Sequence, residues 1–539
     1  MLTDSEIIIP HQADNYPDTQ IETGDRNVAA VSEQRKKMRI LLVEPESPTS
    51  YWSHSHALPL IGKKASHCPL GLITVGSMLP PEWELRLADL NTGPLSTDTI
   101  AQSDAVFLGG MHIQANSFHE QIARAKAAGK IVVGGGPYVT SSPEECQDLD
   151  HLVLGEVEAG IDEWCQKFEQ GKAPKIAMMP RPDILNRTEV PRYDLIDPRH
   201  YFEVNVQLSR GCPHNCEFCS VTKLNGHKPR LKSAEQVVAE LEAIRKTGFR
   251  GSGFLVDDNF IGNRRGIKER LRAIIAWQKQ YGYPLDFCTQ TSVLLAEDEE
   301  LMELMVEAGI SGVFLGIETP SKRALQEANK KHNTRMDLQE AVKRIAQKGL
   351  EPMGGFIIGF DSDTEEDLDE LKRFIKEGII PSAMVGPLQA APLTDLRKRM
   401  EREGRLLPVN GREFSGDQFS TTNFKTVMDP ETLRAKYAEI LTSIYEPKNY
   451  FDRCLRLMRA SGPAKKHSIY RHRLGFALNA LKNSVLEQGI RSEYRAEYWR
   501  FLVRAAMETP SKLHTAITHA VKLHHYYTYT HQNVLPRMT

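Results

Sequence analysis

The chain has 539 residues, enough for roughly two to four domains and more than one sizeable core. Its 68 Lys and Arg balance 70 Asp and Glu to a formal charge of -2, so nothing global points to nucleic acid or an anionic membrane. No run of about 18 apolar residues marks a membrane-spanning helix, and five of the eight cysteines are scattered singly, which argues against a disulfide framework.

Residues 1 to about 37 are polar, without a sustained apolar period, and read as a disordered leader. The start, Met1-Leu-Thr-Asp-Ser-Glu6, lacks the basic-then-apolar order of a signal peptide, and a reducing, cytoplasmic location is expected. At Met38 the pattern changes. Met38 to Val43 is a buried strand, Leu70 to Leu79 a helix, Trp83 to Leu90 and Ala105 to Leu108 strands, and Ser117 to Lys130 a helix. The strand Ile131 to Val133 runs into Gly134, Gly135, Gly136 and Pro137; Leu152 to Leu154 and a helix from Ala159 to Phe168 complete the unit. Strands and helices alternating through short glycine turns predict a doubly wound parallel sheet over residues 38–170. Its glycine-ended strands would let backbone approach a ligand closely at the carboxyl edge. Pro180, Pro182, Pro191 and Pro198 mark residues 171–200 as a linker.

From Tyr201 the chain repeats strand then helix. An extended run, Phe202 to Leu208, enters a cysteine-rich loop; Ser233 and Gln236 then form a capping box for a helix with Val237, Val238, Leu241 and Ile244 on one face. Strands follow at 253–256, 286–290, 312–317, 354–359 and 383–387, with helices between, the one starting at Pro320 running into the 340s. Six such steps predict a partial (β/α)6 TIM-type barrel over 201–400, with chemistry at the carboxyl ends of its strands. Polar residues gather there: Asp257, Asp258 and Asn259 after the second strand, Gln290 and Thr291 after the third, Glu318 after the fourth, Asp361 after the fifth and Gln389 after the sixth. Each alone reads as a loop or helix-capping residue; together they ring one mouth. Residues 401–539 read as a helical extension, whose Tyr- and His-rich end, His524 to His531, suits packing better than a metal site.

The loop Arg210-Gly-Cys-Pro-His-Asn-Cys-Glu-Phe-Cys-Ser220 carries Cys212, Cys216 and Cys219 in a C-x3-C-x2-C spacing. Thiolates are soft ligands suited to iron–sulfur clusters, and three of them leave one iron of a [4Fe–4S] cube open to a small chelating molecule. A zinc knuckle completed by His214 or His227, or a chance grouping, are the competing readings. Pro213 and Phe218 add to the match: the loop resembles that of the radical S-adenosylmethionine (SAM) enzymes.

The resemblance implies that Cys212, Cys216 and Cys219 hold the cluster, whose open iron binds the amino and carboxylate groups of SAM. It further implies that Asp257, Asp258 and Asn259 meet the amino group of SAM and that Glu318, after Gly316-Ile317, meets its ribose. Gly355 and Ile357 would lie along the adenine, which Phe218 also touches, with Gln290 in the same ring. Pro69 to Leu72, Gly134, Gly135, Gly136, Gly155 and Glu156 resemble the cobalamin-binding-like domain of one subgroup, the group that includes hopanoid C-2 methylase. The D-x-H-x-x-G motif that supplies a lower cobalt ligand is absent; His54, His56, His67 and His112 lie near the expected edge without its context. The subgroup implies cobalamin-dependent methylation of an unactivated carbon. It also implies a small substrate, by kinship an apolar one, and an electron donor such as flavodoxin or ferredoxin. A cobalamin-free enzyme performing oxidation, cyclisation or aminocarboxypropyl transfer remains the alternative, and an iron–sulfur sensor a remote one.

Overall fold

The computed structural model describes residues 37–186, 188–408, 412, 414–417, 419, 421–462 and 474–538; the expected leader, Lys37 apart, lies outside them. In chain order the strands are β1 (Arg39–Glu44), β2 (Ala65–His67), β3 (Glu84–Asp89), β4 (Ala105–Gly109), β5 (Ile131–Gly135), β6 (His151–Leu154), β7 (Ile176–Met178) and β8 (Tyr201–Val206). They continue through β9 (Ser209–Arg210), β10 (Arg230–Leu231), β11 (Gly251–Leu255), β12 (Leu285–Thr291), β13 (Ile310–Glu318), β14 (Glu351–Ile358) and β15 (Ala383–Pro387).

The first sheet is parallel throughout, in the order β3-β1-β4-β5-β6-β7. Its central strands β1 and β4 are runs of Leu, Val, Ile and Phe buried on both faces, as a helix-covered parallel sheet requires. Successive crossovers leave β1 in opposite directions, to β3 and to β4, which opens a crevice at the carboxyl ends of those strands. The sheet gains an edge strand, β7, from the proline-rich stretch read as a linker. Flanked by Pro174 and Pro180, such a segment can pair on one side only, and an edge position tolerates that.

The second sheet is also parallel and curls into a half-barrel, in the order β15-β14-β13-β12-β11-β8-β2. Its last strand comes from the N-terminal region: β2 pairs with β8 through Ala65 opposite Tyr201 and His67 opposite Glu203. Three residues with no apolar run carry no periodic signal, so this strand exists only because β8 offers a free edge. The helix expected from Pro320 is broken into Lys322–Glu327, a 3-10 turn Lys331–Arg335, and Leu338–Gln347. Asn329 in the left-handed region ends the first piece, and Asp337 recaps the last by accepting the Glu340 N–H at 3.0 Å.

In a filled barrel both faces of every strand are buried. Here the residues facing the helices are buried, whereas those pointing inward, such as Ser252, Phe254, Asp286, Cys288, Glu351 and Met353, are partly exposed. The interior is therefore open. A continuous cavity of about 2250 Å³ runs from Gly109, Gly134 and Gly155 on the first sheet, past Phe218 and Cys219, to Lys348 and Thr515 near the amino ends of the barrel strands.

Helices Pro430–Tyr445, Pro447–Ala460, Leu474–Ser484, Arg495–Glu508 and Leu513–Tyr529 form the C-terminal extension. The Tyr437 and Tyr445 hydroxyls donate to the Val385 and Ala383 carbonyls at 2.9 and 2.6 Å, covering the edge of β15. Leu513–Tyr529 bridges the two ends of the half-barrel. Tyr526 donates to the Ser382 hydroxyl at 3.2 Å, just before β15, and the His525 ring meets the Ser50 carbonyl at 2.9 Å, upstream of β2.

Gly134 is bare because a Cβ there would stand 2.9 Å from Leu149 Cδ2 and closer still to Cδ1. Gly134→Ala should therefore lower stability by about 1–3 kcal/mol in denaturant titration, as overpacking does. Combining it with Leu149→Ala should cost less than the sum of the two single changes.

Candidate active site

The cysteine loop is held from several sides. Ser209 and Arg210 pair antiparallel with Arg230 and Leu231 at its base. Gly211 follows at φ +100°, where a Cβ would sit 2.8 Å from the Lys228 carbonyl oxygen. Asp258 accepts the Gly211 N–H at 2.7 Å and the Asn225 amide at 3.0 Å. Asp257, fully buried, accepts the Leu208 N–H at 3.3 Å and the Ser209 hydroxyl; burial pushes its carboxyl up to about 7. Within the loop, Cys212 N–H donates to Gly226 O at 3.1 Å and Glu217 N–H to Ala328 O at 3.0 Å. The Glu217 carboxylate accepts from Arg399 at 2.7 and 3.1 Å, and Arg399 also donates to Asp361 at 2.6 Å. Asp361 is thus a strut behind the loop, and Thr364 caps the helix Glu365–Glu377.

All three thiols are partly buried, and burial raises their pKa values, that of Cys219 to about 12. Coordination to a metal deprotonates such thiols outright, so this donor set fits a cluster of soft iron. His214, which could have completed a zinc site, is stacked on His332 with ring centroids 3.7 Å apart. Facing the loop at the end of β13, Glu318 is held at φ 66° and pairs with Lys330; a Cβ on Gly316 would lie 2.7 Å from Lys330 Nζ. Asn259 places its amide nitrogen 3.9 Å from Cys212 Sγ, and its buried Oδ1 has no hydrogen-bond partner. Phe218 and Ile357 pack on one small apolar cluster with Ala324 and Phe360. Gly355, two residues before Ile357, is bare where a Cβ would meet the Phe314 ring at 2.9 Å, and Gln290 lines the cavity.

Across the cavity lies the carboxyl edge of the first sheet. Gly136 and Gly155 have φ of 87° and 89°, and a Cβ on Gly155 would stand 2.8 Å from the Met179 carbonyl oxygen. Gly135 lines the same edge. Glu156 reaches away from that edge to Arg210 at 2.8 Å and Arg230 at 2.6 Å. Of the four histidines expected there, His112 alone lies directly beyond a strand end of this sheet, after Gly109 of β4; its Nε2 meets the Ser142 hydroxyl at 3.0 Å, and burial lowers its pKa to about 4. His54 and His56 pack toward His525, and His67 sits on β2, 3.4 Å from Glu203. At the switch point Glu44 accepts from Gln114 at 2.8 Å. The crevice is roomy: the cavity exceeds the roughly 300–1,000 Å³ of a site for one small ligand.

Residues 206–375 match the model of the radical SAM superfamily, and residues 394–535 match a domain of unknown function, DUF4070. The chain is 38% identical to an uncharacterized methyltransferase of Synechocystis sp. over 91% of this chain and 92% of the relative. It is 33% identical to hopanoid C-2 methylase of Rhodopseudomonas palustris over 86% of this chain and 89% of that protein. The chain belongs to the radical SAM superfamily. The fold agrees: the cobalamin-dependent radical SAM enzyme OxsB, solved with aqua-cobalamin and SAM bound, superimposes with a TM-score of 0.58 at 15% identity, over 93% of this chain and 80% of OxsB.

As a radical SAM enzyme it uses a [4Fe–4S] cluster and cleaves SAM. The fold brings Cys212 and Asn259, Cys216 and Glu318, and Phe218 and Ile357 of this enzyme together, with Phe218 and Cys219 on the cavity wall, and turns Asp257, Asp258 and Glu156 toward the protein's own backbone and arginines. Lys330, Asn225 and Arg399 were invisible in the motif. Arg399 lies 182 positions from Glu217, and nothing local marks it.

Two outcomes follow from this geometry. Asp258→Ala removes the acceptor of one hydrogen bond from Gly211 of the cysteine loop and one from Asn225 behind it, each worth about 1.5–3 kcal/mol when the acceptor is charged. Iron and sulfide content after anaerobic reconstitution should fall while circular dichroism stays native. Separately, burial pushes the Glu44 carboxyl from its ordinary 4.5 up to about 8, so the folded chain holds this proton more tightly than the unfolded chain. The stability it contributes is complete below pH 4.5 and is lost as pH rises through about 8. Glu44→Gln lacks this loss, so melting curves should favour the variant increasingly across that window and by a constant amount above it.

Proposed function

We propose that this enzyme methylates an unactivated carbon of a small organic substrate, using cobalamin held by residues 38–170. One observation carries the reading: a single cavity joins the glycine-rich edge of the first sheet to the cysteine loop. Kinship with a methylase and the fold shared with a cobalamin-dependent enzyme support it. Cys212, Cys216 and Cys219 ligate the cluster. Asn259 Oδ1, buried and without a partner, accepts from the ammonium of SAM. Glu318, fixed by Lys330, accepts from the ribose hydroxyls, while Phe218, Gly355 and Ile357 form a flat wall for the adenine. Asp257 and Asp258 position the loop rather than touch SAM. The bare backbone at Gly134, Gly135, Gly136 and Gly155 would hold the corrin, with Glu156 tying that edge to Arg210. Of the chain's own groups at that edge, His112 would be the one available to the cobalt. When bound, the cluster supplies the electron that splits SAM into methionine and a 5′-deoxyadenosyl radical, and cobalamin carries the methyl group.

The apolar walls of the channel, with Trp52 against Phe314 at 4.7 Å, suit a substrate with an apolar body. The reaction runs in the cytoplasm with flavodoxin or ferredoxin as reductant; among the described residues no helix is long and apolar enough to cross a membrane. With methyl-deuterated SAM, the product should carry the label, alongside S-adenosylhomocysteine and 5′-deoxyadenosine. Reconstituted enzyme that fills its cluster, releases 5′-deoxyadenosine and retains no corrinoid would overturn the cobalamin assignment in favour of a cobalamin-free reaction.

A further inference from the structure

The electron that breaks the C5′–S bond of SAM must come from outside this chain, and the structure assigns it a landing site. The tip of the cysteine loop, Pro213 and Asn215, is exposed. Three segments surround it. Lys228 lies beside Gly211, whose Cβ would touch its carbonyl oxygen. Gly262 lies beside Pro213, a Cβ there standing 3.3 Å from Pro213 Cδ. The 3-10 turn Lys331–Arg335 is fastened by His332 stacked on His214, and Asn329 donates to Asn215 O at 2.8 Å.

These segments, residues 226–232, 262–266 and 329–336, contain no Asp or Glu. Their inner cations are consumed by the fold: Arg230 pairs with Glu156, Lys330 with Glu318 and Arg264 with Glu297. Lys228, Arg265, Lys331 and Arg335 are exposed and, among the described residues, form no ion pair. Four unmatched cations around the only exposed part of the cysteine loop form an anion-seeking rim, the kind that steers encounter with a negatively charged protein.

We propose that Lys228, Arg265, Lys331 and Arg335 form the docking surface for a small acidic one-electron carrier protein. In the cleavage step the carrier loses one electron, the C5′–S bond of SAM is the bond reduced, and methionine leaves. The inference rests on the reading that the cysteines hold the cluster, and its test separates the two. Methionine release is measured with reduced flavodoxin and, in parallel, with dithionite, for the native chain, Lys331→Glu/Arg335→Glu and Lys228→Glu/Arg265→Glu. Both pairs should lose about tenfold with flavodoxin and nothing with dithionite, and the native rate with flavodoxin should fall as salt rises. Undiminished rates with flavodoxin, or equal losses with both reductants, would overturn the docking surface. A native chain that releases no methionine with dithionite would instead defeat the cluster assignment beneath it.

Discussion

Two carboxylates at the end of β6 determine how the molecule is put together. Glu156, almost fully buried, meets Arg230 at 2.6 Å and Arg210 at 2.8 Å, and Glu158 meets Arg210 at 2.6 Å. Arg210 is the residue that leads into the cysteine loop, so the carboxyl edge of the first sheet is tied directly to the cysteine-loop end of the second. A buried ion network of this kind adds little net stability, because desolvation opposes the attraction, but breaking it would strand a buried charge at a cost of about 3–5 kcal/mol. Its effect is geometric. With β2 crossing over to pair with β8, it holds two sheets edge to edge around one cavity.

Within that frame most polar groups at the strand ends serve the protein rather than a ligand. Asp258 and Asn259 are neighbours with opposite duties: Asp258 is saturated by Gly211 and Asn225, whereas Asn259 keeps a buried acceptor without a partner. Glu217 turns away from the cysteines to Arg399, which draws on Asp361 behind it. Glu318 is the exception in backbone terms. A non-glycine residue at φ 66° stores strain, and such strain collects where a side chain must be aimed.

The open barrel is the second consequence. Because strands β8 to β15 curl through only part of a circle, inward side chains do not meet in layers, and the C-terminal helix Leu513–Tyr529 closes the gap instead. Its Lys522 reaches Glu351 at 2.8 Å inside the channel. The wall of the channel is therefore shared between the barrel and the helical extension.

The amino-acid sequence by itself determined what local chemistry can encode. Cysteines four and three positions apart must lie on one loop, whatever surrounds them. Alternating apolar runs and glycine turns must become parallel strands under helices, and the first sheet and the half-barrel follow that pattern apart from β2, β7 and the break after Pro320. Tertiary structure decided what depends on partners distant in sequence. Ala65–His67 is a strand because β8 had a free edge; Gly134 is bare because Leu149 packs behind it; Arg399 supports Glu217 across 182 positions. Periodicity reports that a face is buried but not against what, and an ion pair between remote residues leaves no trace in the sequence around either one.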